Sequence, residues 1–354
     1  MLTYTPILKW KTGEQGALRE MAEGDKKNMV PLMEVLPPGT SDYESYLETA
    51  IDRISKSWGE KPFFLDVMTW LTAMPEADTE EVQHPYERAK IAAEERKLVP
   101  IFVAPLYLDK GSIQHLKHSA SAFQNRVALR ISEDELLEGE LEANIQFFME
   151  AFGAEAKAVD IIIDFQSISR RKAKSHARAV VQMLEELPFR GEWHSVIVAG
   201  TNFPDTLQGY ETGVSSLERT NWLAWLEILT LAKKQKLPLP QFADYGISGV
   251  VLPPDFQPYM AMSANIRYTV KEDWLILRGK SVRGPLGYEQ FHKLCEILCD
   301  LKEYRGKDFS WGDAQIEKCA KREVGPGNAM TWRKVGTSHH IAFVLEQLAN
   351  LAEL

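Results

Sequence analysis

The chain predicts a closed (β/α)8, TIM-barrel-like fold, and three observations carry that prediction. Eight short apolar segments, at residues 5–11, 29–35, 62–67, 99–105, 126–131, 159–165, 195–201 and 241–246, each end in a polar or turn residue. Helix-like stretches separate them, and a parallel strand neighbour needs a crossover of about a dozen residues or more. VPIFVAPL (99–106), VDIIID (159–164) and SVIVAG (195–200) are nearly continuous apolar runs. Strands covered on both faces read that way. In such a barrel the functional groups collect where the strands end.

Taken in order, MLTYTPILKW reads as the first strand. It lacks the charged start and long apolar stretch of a signal peptide. In 43–58, Tyr43, Tyr46, Leu47, Ala50, Ile51 and Ile54 recur at three- and four-residue steps, which makes one buried helical stripe. Ser41 or Asp42 stands where its cap belongs. Further helices are expected at 85–97, 133–152, 169–187 and 216–234. The isolated glycines Gly13, Gly39, Gly200 and Gly246 read as turns.

After the eighth strand the pattern changes. Residues 264–269 and 274–279 read as a β-hairpin inserted over the strand-end face, joined by the polar turn 270–273. With Thr269 opposite Trp274, Arg267 faces Ile276 and Asn265 faces Arg278, so both arginines project from one face. A closing helix is expected at 288–304. An irregular stretch with Trp311, Gly325, Pro326, Gly327 and Trp332 follows, then a terminal helix at 338–354. The expectation is one domain over 1–354, with a barrel to about 305 and a C-terminal helical extension over 306–354.

The composition, 45% hydrophobic and 26% charged, is that of an ordinary soluble globular chain and argues against disorder. A net charge of −9 argues against general coating of nucleic acid and still allows a local basic patch. No segment approaches the ~18 continuous apolar residues of a membrane span. Three cysteines make no disulfide framework in 354 residues, which points to a reducing cytoplasm.

The strand ends carry an unusual set of charges. Lys9 and Lys11 share the parity of Ile7 on the first strand. Glu34 ends the second strand, Asp66 the third, Arg130 the fifth, Asp164 the sixth and Asp244 the eighth. The fourth ends at Pro105, and Thr201 and Asn202 leave the seventh. Such a rim is costly unless its groups pair or bind something. Glu34, Asp66, Asp164 and Asp244 could hold Mg²⁺ or Mn²⁺. Lys9, Lys11, Arg130, Arg267 and Arg278 would then hold a substrate phosphate. Lys11, Asp164 and His340 are the candidate catalytic groups, with His340 moving a proton. The bland alternative is an internal ring of salt bridges that closes the mouth.

Other motifs carry less. SRRKAKSHAR (169–178) sets five basic side chains and a histidine at a helix start, against the helix dipole. It reads as a solvated face or as a phosphate-facing edge. His339 and His340 point about 100° apart on a helix and cannot chelate one metal as a pair; Ser338 beside them reads as a cap. His292, Cys295 and Cys299 have ligand-like spacing but lie on the apolar stripe of Phe291, Leu294 and Leu298, which favours packing. Trp70 and Tyr86 serve equally as core or as stacking groups. No Walker-type loop, G-x-S-x-G elbow or dinucleotide fingerprint is present.

The segments YTPILKWKTGEQGAL, VPLMEV, FFLDV, ADYGIS, NIRYT, WLILRG and WRKVGTSHHI resemble the beta family of phage and bacterial proteins, over nearly the whole chain. The resemblance implies a role in phage–host conflict, beside a toxin-like or defence gene, and implies no catalytic mechanism. Its motif positions fall on Lys9, Lys11, Glu34, Asp66, Asp244, Tyr245, Arg267, Arg278, Arg333 and His340, which adds Tyr245 and Arg333 to the ligand-binding candidates. Two functions are expected. One is a metal-dependent phosphodiesterase or nuclease acting on a nucleotide or nucleic-acid end. The other is a non-enzymatic antitoxin or adaptor that binds the protein encoded by a neighbouring gene.

Overall fold

The computed structural model describes residues 3–37, 43–73, 83–137, 139–168, 171–251 and 262–352. The proposed cap at Ser41 or Asp42 and the turn at Gly39 lie outside them. Eight strands pair in parallel into a closed barrel. They are β1 (Tyr4–Leu8), β2 (Leu32–Glu34), β3 (Pro62–Asp66), β4 (Val99–Pro105), β5 (Val127–Ser132), β6 (Val159–Ser167) and β7 (Ser195–Thr201), followed by β9 (Gln241–Asp244) after an outlying strand β8 (Gly213–Glu218). β9 closes onto β1 in the register Tyr4 to Phe242.

Alternation along each strand divides the side chains. Ile7, Leu32, Phe64, Val103, Ala128 and Ile162 fill the barrel interior. Their neighbours, such as Leu8, Met33, Leu65, Leu129 and Ile163, join the larger core beneath the outer helices. Trp70 and Tyr86 belong to that core. Their polar tips bond the Val35 and Val103 carbonyls at 2.7 and 2.9 Å, so they are not free to stack on a ligand.

The predicted hairpin is present as β10 (Ser263–Thr269) and β11 (Asp273–Ser281), with Thr269 opposite Trp274 and Asn265 opposite Arg278. The structure adds a third strand. β8 pairs antiparallel with β11, so the start of the expected helix 216–234 is strand, and the helix is Thr220–Gln235. The stretch 133–152 is two helices, Glu133–Leu137 and Leu141–Phe152. Helices Thr12–Glu20, Lys110–Ser121 and Trp311–Ala320 were not anticipated.

The last helix, Ala329–Ala352, starts nine residues earlier than expected. Asn328 Oδ1 accepts from the Thr331 N–H at 3.1 Å and takes the capping role given to Ser338. Ser338 is instead buried, and its Oγ accepts from the Gly312 N–H. Phe291, Leu294, Cys295, Leu298, Cys319 and Trp332 pack the helices of the extension under the three-stranded sheet. His292 donates to the Cys319 carbonyl at 2.7 Å, so this spacing is packing, as expected. Among the described residues no helix is long and apolar enough to cross a membrane.

Two glycines let helix Ala329–Ala352 approach its neighbours. A Cβ at Gly312 would lie 2.3 Å from the Val335 carbonyl oxygen. One at Gly336 would lie 2.6 Å from Ile247 Cδ1 and 2.9 Å from the Arg267 carbonyl oxygen. The obstacles are largely backbone and cannot rotate away. Gly312→Ala and Gly336→Ala should each cost about 1–3 kcal/mol, as overpacking does. Urea midpoints equal to that of the parent protein would refute this account of the seam.

Candidate functional site

Arg130 is the centre of the barrel mouth. Ala128 points inward, so two residues on Arg130 does too, at the strand end. Its Nε and Nη2 donate to Asp164 Oδ2 at 2.9 and 2.7 Å. Its Nη1 donates to Asp66 Oδ2 at 2.5 Å and to Glu34 Oε1 at 3.1 Å. Nη2 also reaches the Tyr245 hydroxyl at 2.9 Å, which in turn donates to Asp164 at 2.6 Å. Lys9 Nζ stands 2.5 Å from Glu34 Oε2 and over the Tyr245 ring.

This lower layer holds two cations and three carboxylates, nearly sealed from water. Burial works against the charge of Arg130, but Tyr245 and the three carboxylates hold it firmly protonated. Burial would also raise Glu34, yet Arg130 and Lys9 keep it below the usual carboxylate range. Asp66 goes the other way, pushed up by burial and by its neighbour Glu34 despite Arg130. The layer is thus close to neutral and is the salt-bridge ring that the sequence left as an alternative.

Asp244 is not part of it. Ala243 and Tyr245 face inward, so Asp244 faces the outer helices and breaks the expected set of four carboxylates. It accepts from the Tyr4 hydroxyl at 2.6 Å, from the Gly246 N–H at 3.0 Å and from His340 Nε2 at 3.1 Å. His340 Nδ1 meets Thr269 Oγ1 at 2.7 Å. Both His340 and Asp244 are fully buried, so the expected proton transfer by His340 at the mouth has no path to an open ligand. His339 faces away and bonds Asp313 and the Thr269 carbonyl.

The expected Mg²⁺ or Mn²⁺ site does not fit. The three carboxylates that do converge are occupied by Arg130 and Lys9. Among the described residues no group of three or more His, Cys, Asp or Glu side chains is arranged to hold a metal ion.

Above the ring lies a cationic layer. Arg267 Nη1 donates to the Ile247 carbonyl at 2.6 Å and Nε to Asn265 Oδ1 at 3.3 Å, with Phe203 beneath the guanidinium. Arg333 donates to Ser248 Oγ and, at 3.4 Å, to the same Ile247 carbonyl. Its nearest carboxylate oxygen is Glu14 Oε1, at 3.9 Å from Nε. Lys11 is exposed at the start of helix Thr12–Glu20. Gly13 lies in the first turn of that helix, not in a turn, and a Cβ there would sit 2.6 Å from Arg333 Cγ. Arg278 bonds Ser263 Oγ and the Tyr210 carbonyl, both neutral.

Arg267 is enclosed by protein, although part of its side chain meets solvent. Burial, then the adjacent Arg333, push it well below the usual arginine range, and only Glu14 opposes them. Glu14, Asn265, Phe203 and Ser248 were missed from the sequence. Glu14 and Ser248 stood in quoted motifs, but nothing in their spacing marks them as neighbours of Arg333. In the basic run, Arg171 pairs with Glu133, and His176 is buried against Phe165. Both contacts are internal, so this part of the run is a packed helix start.

Both layers fall within one family match. The family described as Beta protein matches residues 4–346. The chain belongs to the Beta protein family. The match takes in the whole barrel, the three-stranded sheet and helix Ala329–Ala352 as far as Glu346, so every site residue of this Beta protein family member lies inside it. Among solved structures the chain is similar to triosephosphate isomerase from Bartonella henselae, at 13% identity and a TM-score of 0.36, covering 69% of this chain and 92% of that one. A search of the curated proteins finds no match.

Arg130→Met would strand Asp66 and Asp164 and leave Glu34 with Lys9 alone, and breaking a buried pair in this way costs about 3–5 kcal/mol. The stranded carboxyls would then hold protons more readily than in the unfolded chain. The variant should gain stability as the pH falls from 7 toward 5. A denaturant midpoint that is unchanged, or that falls in step with the parent's, would refute the ring.

The parent protein should behave oppositely. Burial and Arg171 push His176 from 6.5 down to about 4, and burial with Asp244 in opposition holds His340 below 6.5. Between those values the unfolded chain binds protons that the folded chain does not. Stability should therefore fall as the pH falls through that window, which urea melts at pH 7 and 5 would measure.

Proposed function

We propose that this protein binds a phosphate-bearing ligand, a nucleotide or a nucleic-acid end, on the cationic layer of its barrel mouth. One observation carries the reading. Arg267 and Arg333 converge on the single carbonyl of Ile247, and Glu14 is the one carboxylate within ion-pair reach of either among the described residues. Holding two guanidinium groups together without matching carboxylates is unfavourable, and an anion would relieve it. Lys11 and the first amide groups of helix Thr12–Glu20, which abut Arg333, add donors and a favourable dipole on the same side.

The ligand is held without a divalent cation, because the carboxylates beneath are tied to Arg130. Of the three catalytic candidates, Asp164 is locked in that ring and His340 is buried. Lys11 alone is exposed, which favours a receptor over a phosphodiesterase. The family resemblance supports placing this receptor in phage–host conflict, beside the product of a neighbouring gene, and the three cysteines without a disulfide framework support a reducing cytoplasm; co-purification with that product tests the setting.

Calorimetric titration with inorganic phosphate and with nucleoside monophosphates should show binding that weakens as salt is raised. Arg267→Ala and Arg333→Ala should each weaken it roughly tenfold or more, the loss expected of a charge-assisted hydrogen bond. Arg267→Met should leave the ligand-free melting temperature equal or higher, since an uncompensated buried charge is removed. No heat from any phosphate compound, or a large fall in that melting temperature, would overturn the reading.

A further inference from the structure

The chain Tyr4–Asp244–His340–Thr269 is fully buried, and neither layer of the mouth uses it. Its placement is specific. Helix Ala329–Ala352 carries both Arg333 and His340, seven residues apart and so on one face. β10 carries both Arg267 and Thr269, two residues apart and so on one side of the strand. β9 ends at Asp244, whose Oδ1 accepts the Gly246 N–H. Gly246 has a φ of 62°, a left-handed turn that presents the next carbonyl, Ile247, to both arginines. Helix Ala329–Ala352 and β10 thus each supply one member of the buried chain and one arginine of the cationic layer, while β9 supplies Asp244 and the turn after it the carbonyl that both arginines share. Gly336, between Arg333 and His340, is where the helix backbone touches both Ile247 and the Arg267 carbonyl.

We propose that His340 is a positioning residue for the anion subsite: through Asp244 and Thr269 it fixes the Ile247–Ser248 turn and β10 at the spacing that lets Arg267 and Arg333 grip one ligand. The proposal rests on the phosphate reading above for its ligand, but not for its geometry. Two guanidinium groups act as one clamp only if their separation is set to a few tenths of an ångström, and buried hydrogen bonds between the supporting elements set it. Nε2 of His340 donates to Asp244, and Nδ1 faces the Thr269 hydroxyl. Gln at position 340 can keep the first bond, whereas Leu keeps neither. The neighbouring His339 points about 100° away from His340 and bonds Asp313 on helix Trp311–Ala320, so a general loosening of helix Ala329–Ala352 would be felt there as well.

The test compares His340→Leu, His340→Gln and Thr269→Val, each checked for a parent-like circular dichroism spectrum and a cooperative melt. Inorganic phosphate is the probe. His340→Leu should weaken its binding roughly tenfold, and His340→Gln should restore it to within about threefold, since one hydrogen bond to a charged group is at stake. Phosphate affinity unchanged in His340→Leu overturns the proposal, and Thr269→Val, which exchanges the hydroxyl for a methyl group of similar size, decides it should His340→Leu fail to fold. A second readout needs no ligand. The side-chain Nε–H NMR signals of Arg267 and Arg333 should both move in Thr269→Val, and unmoved signals overturn the positioning role. If the parent protein binds no phosphate but those signals do move, the ligand reading fails while the positioning role stands.

Discussion

A single guanidinium governs the centre of this molecule. Arg130 satisfies Glu34, Asp66 and Asp164 from three other strands of the barrel and Tyr245 just after a fourth, at a depth where any one of those carboxylates alone would be strongly disfavoured. Aliphatic side chains fill the interior below it. A barrel core must end somewhere, and here it ends in a layer of charges that neutralise one another. The planar fork of arginine suits this place better than an ammonium would, because it can donate in several directions at once.

That closure explains how a chain with a net charge of −9 presents a positive mouth. Glu34, Asp66 and Asp164 face inward and are paired with Arg130 and Lys9, and Asp244 is buried on the other side against Tyr4 and His340. Above that layer Arg267, Arg278 and Arg333 are held by neutral carbonyls, hydroxyls and an amide, and Lys11 is exposed. Local field, not net charge, decides what such a surface attracts. The lower layer is internally compensated, whereas the upper layer leaves Arg267 and Arg333 with Glu14 as the one carboxylate in ion-pair reach among the described residues.

The upper layer is assembled at a seam. Helix Ala329–Ala352 lies against β10, the turn after β9 and helix Thr12–Glu20, joining the C-terminal extension to the first and last units of the barrel. Glycines at positions 13, 312 and 336 bring backbone within reach of backbone or of the arginine stem. Buried histidines lock the contact, one on each side of the helix. The resemblance motifs at the start, the eighth barrel strand and the C-terminus meet along this seam, although they lie hundreds of residues apart.

Strand period and apolar runs are local properties, so the sequence alone determined the eight barrel strands, the hairpin register of Thr269 with Trp274, and the inward direction of Lys9, Glu34, Asp66, Arg130 and Asp164. What it left to the tertiary structure was everything that depends on a partner. Asp244 was misread because Asp244 and Tyr245 both stand at a strand end, and only the closed barrel shows which one faces the axis. β8 was invisible because GVSSLE has almost no apolar period and is strand only through its pairing with β11. The pairing of Arg130 with carboxylates from three strands, and the lack of such pairing at Arg267, arise from side chains distant in sequence and adjacent in space. Charge type is written residue by residue, but compensation of charge is a property of the fold.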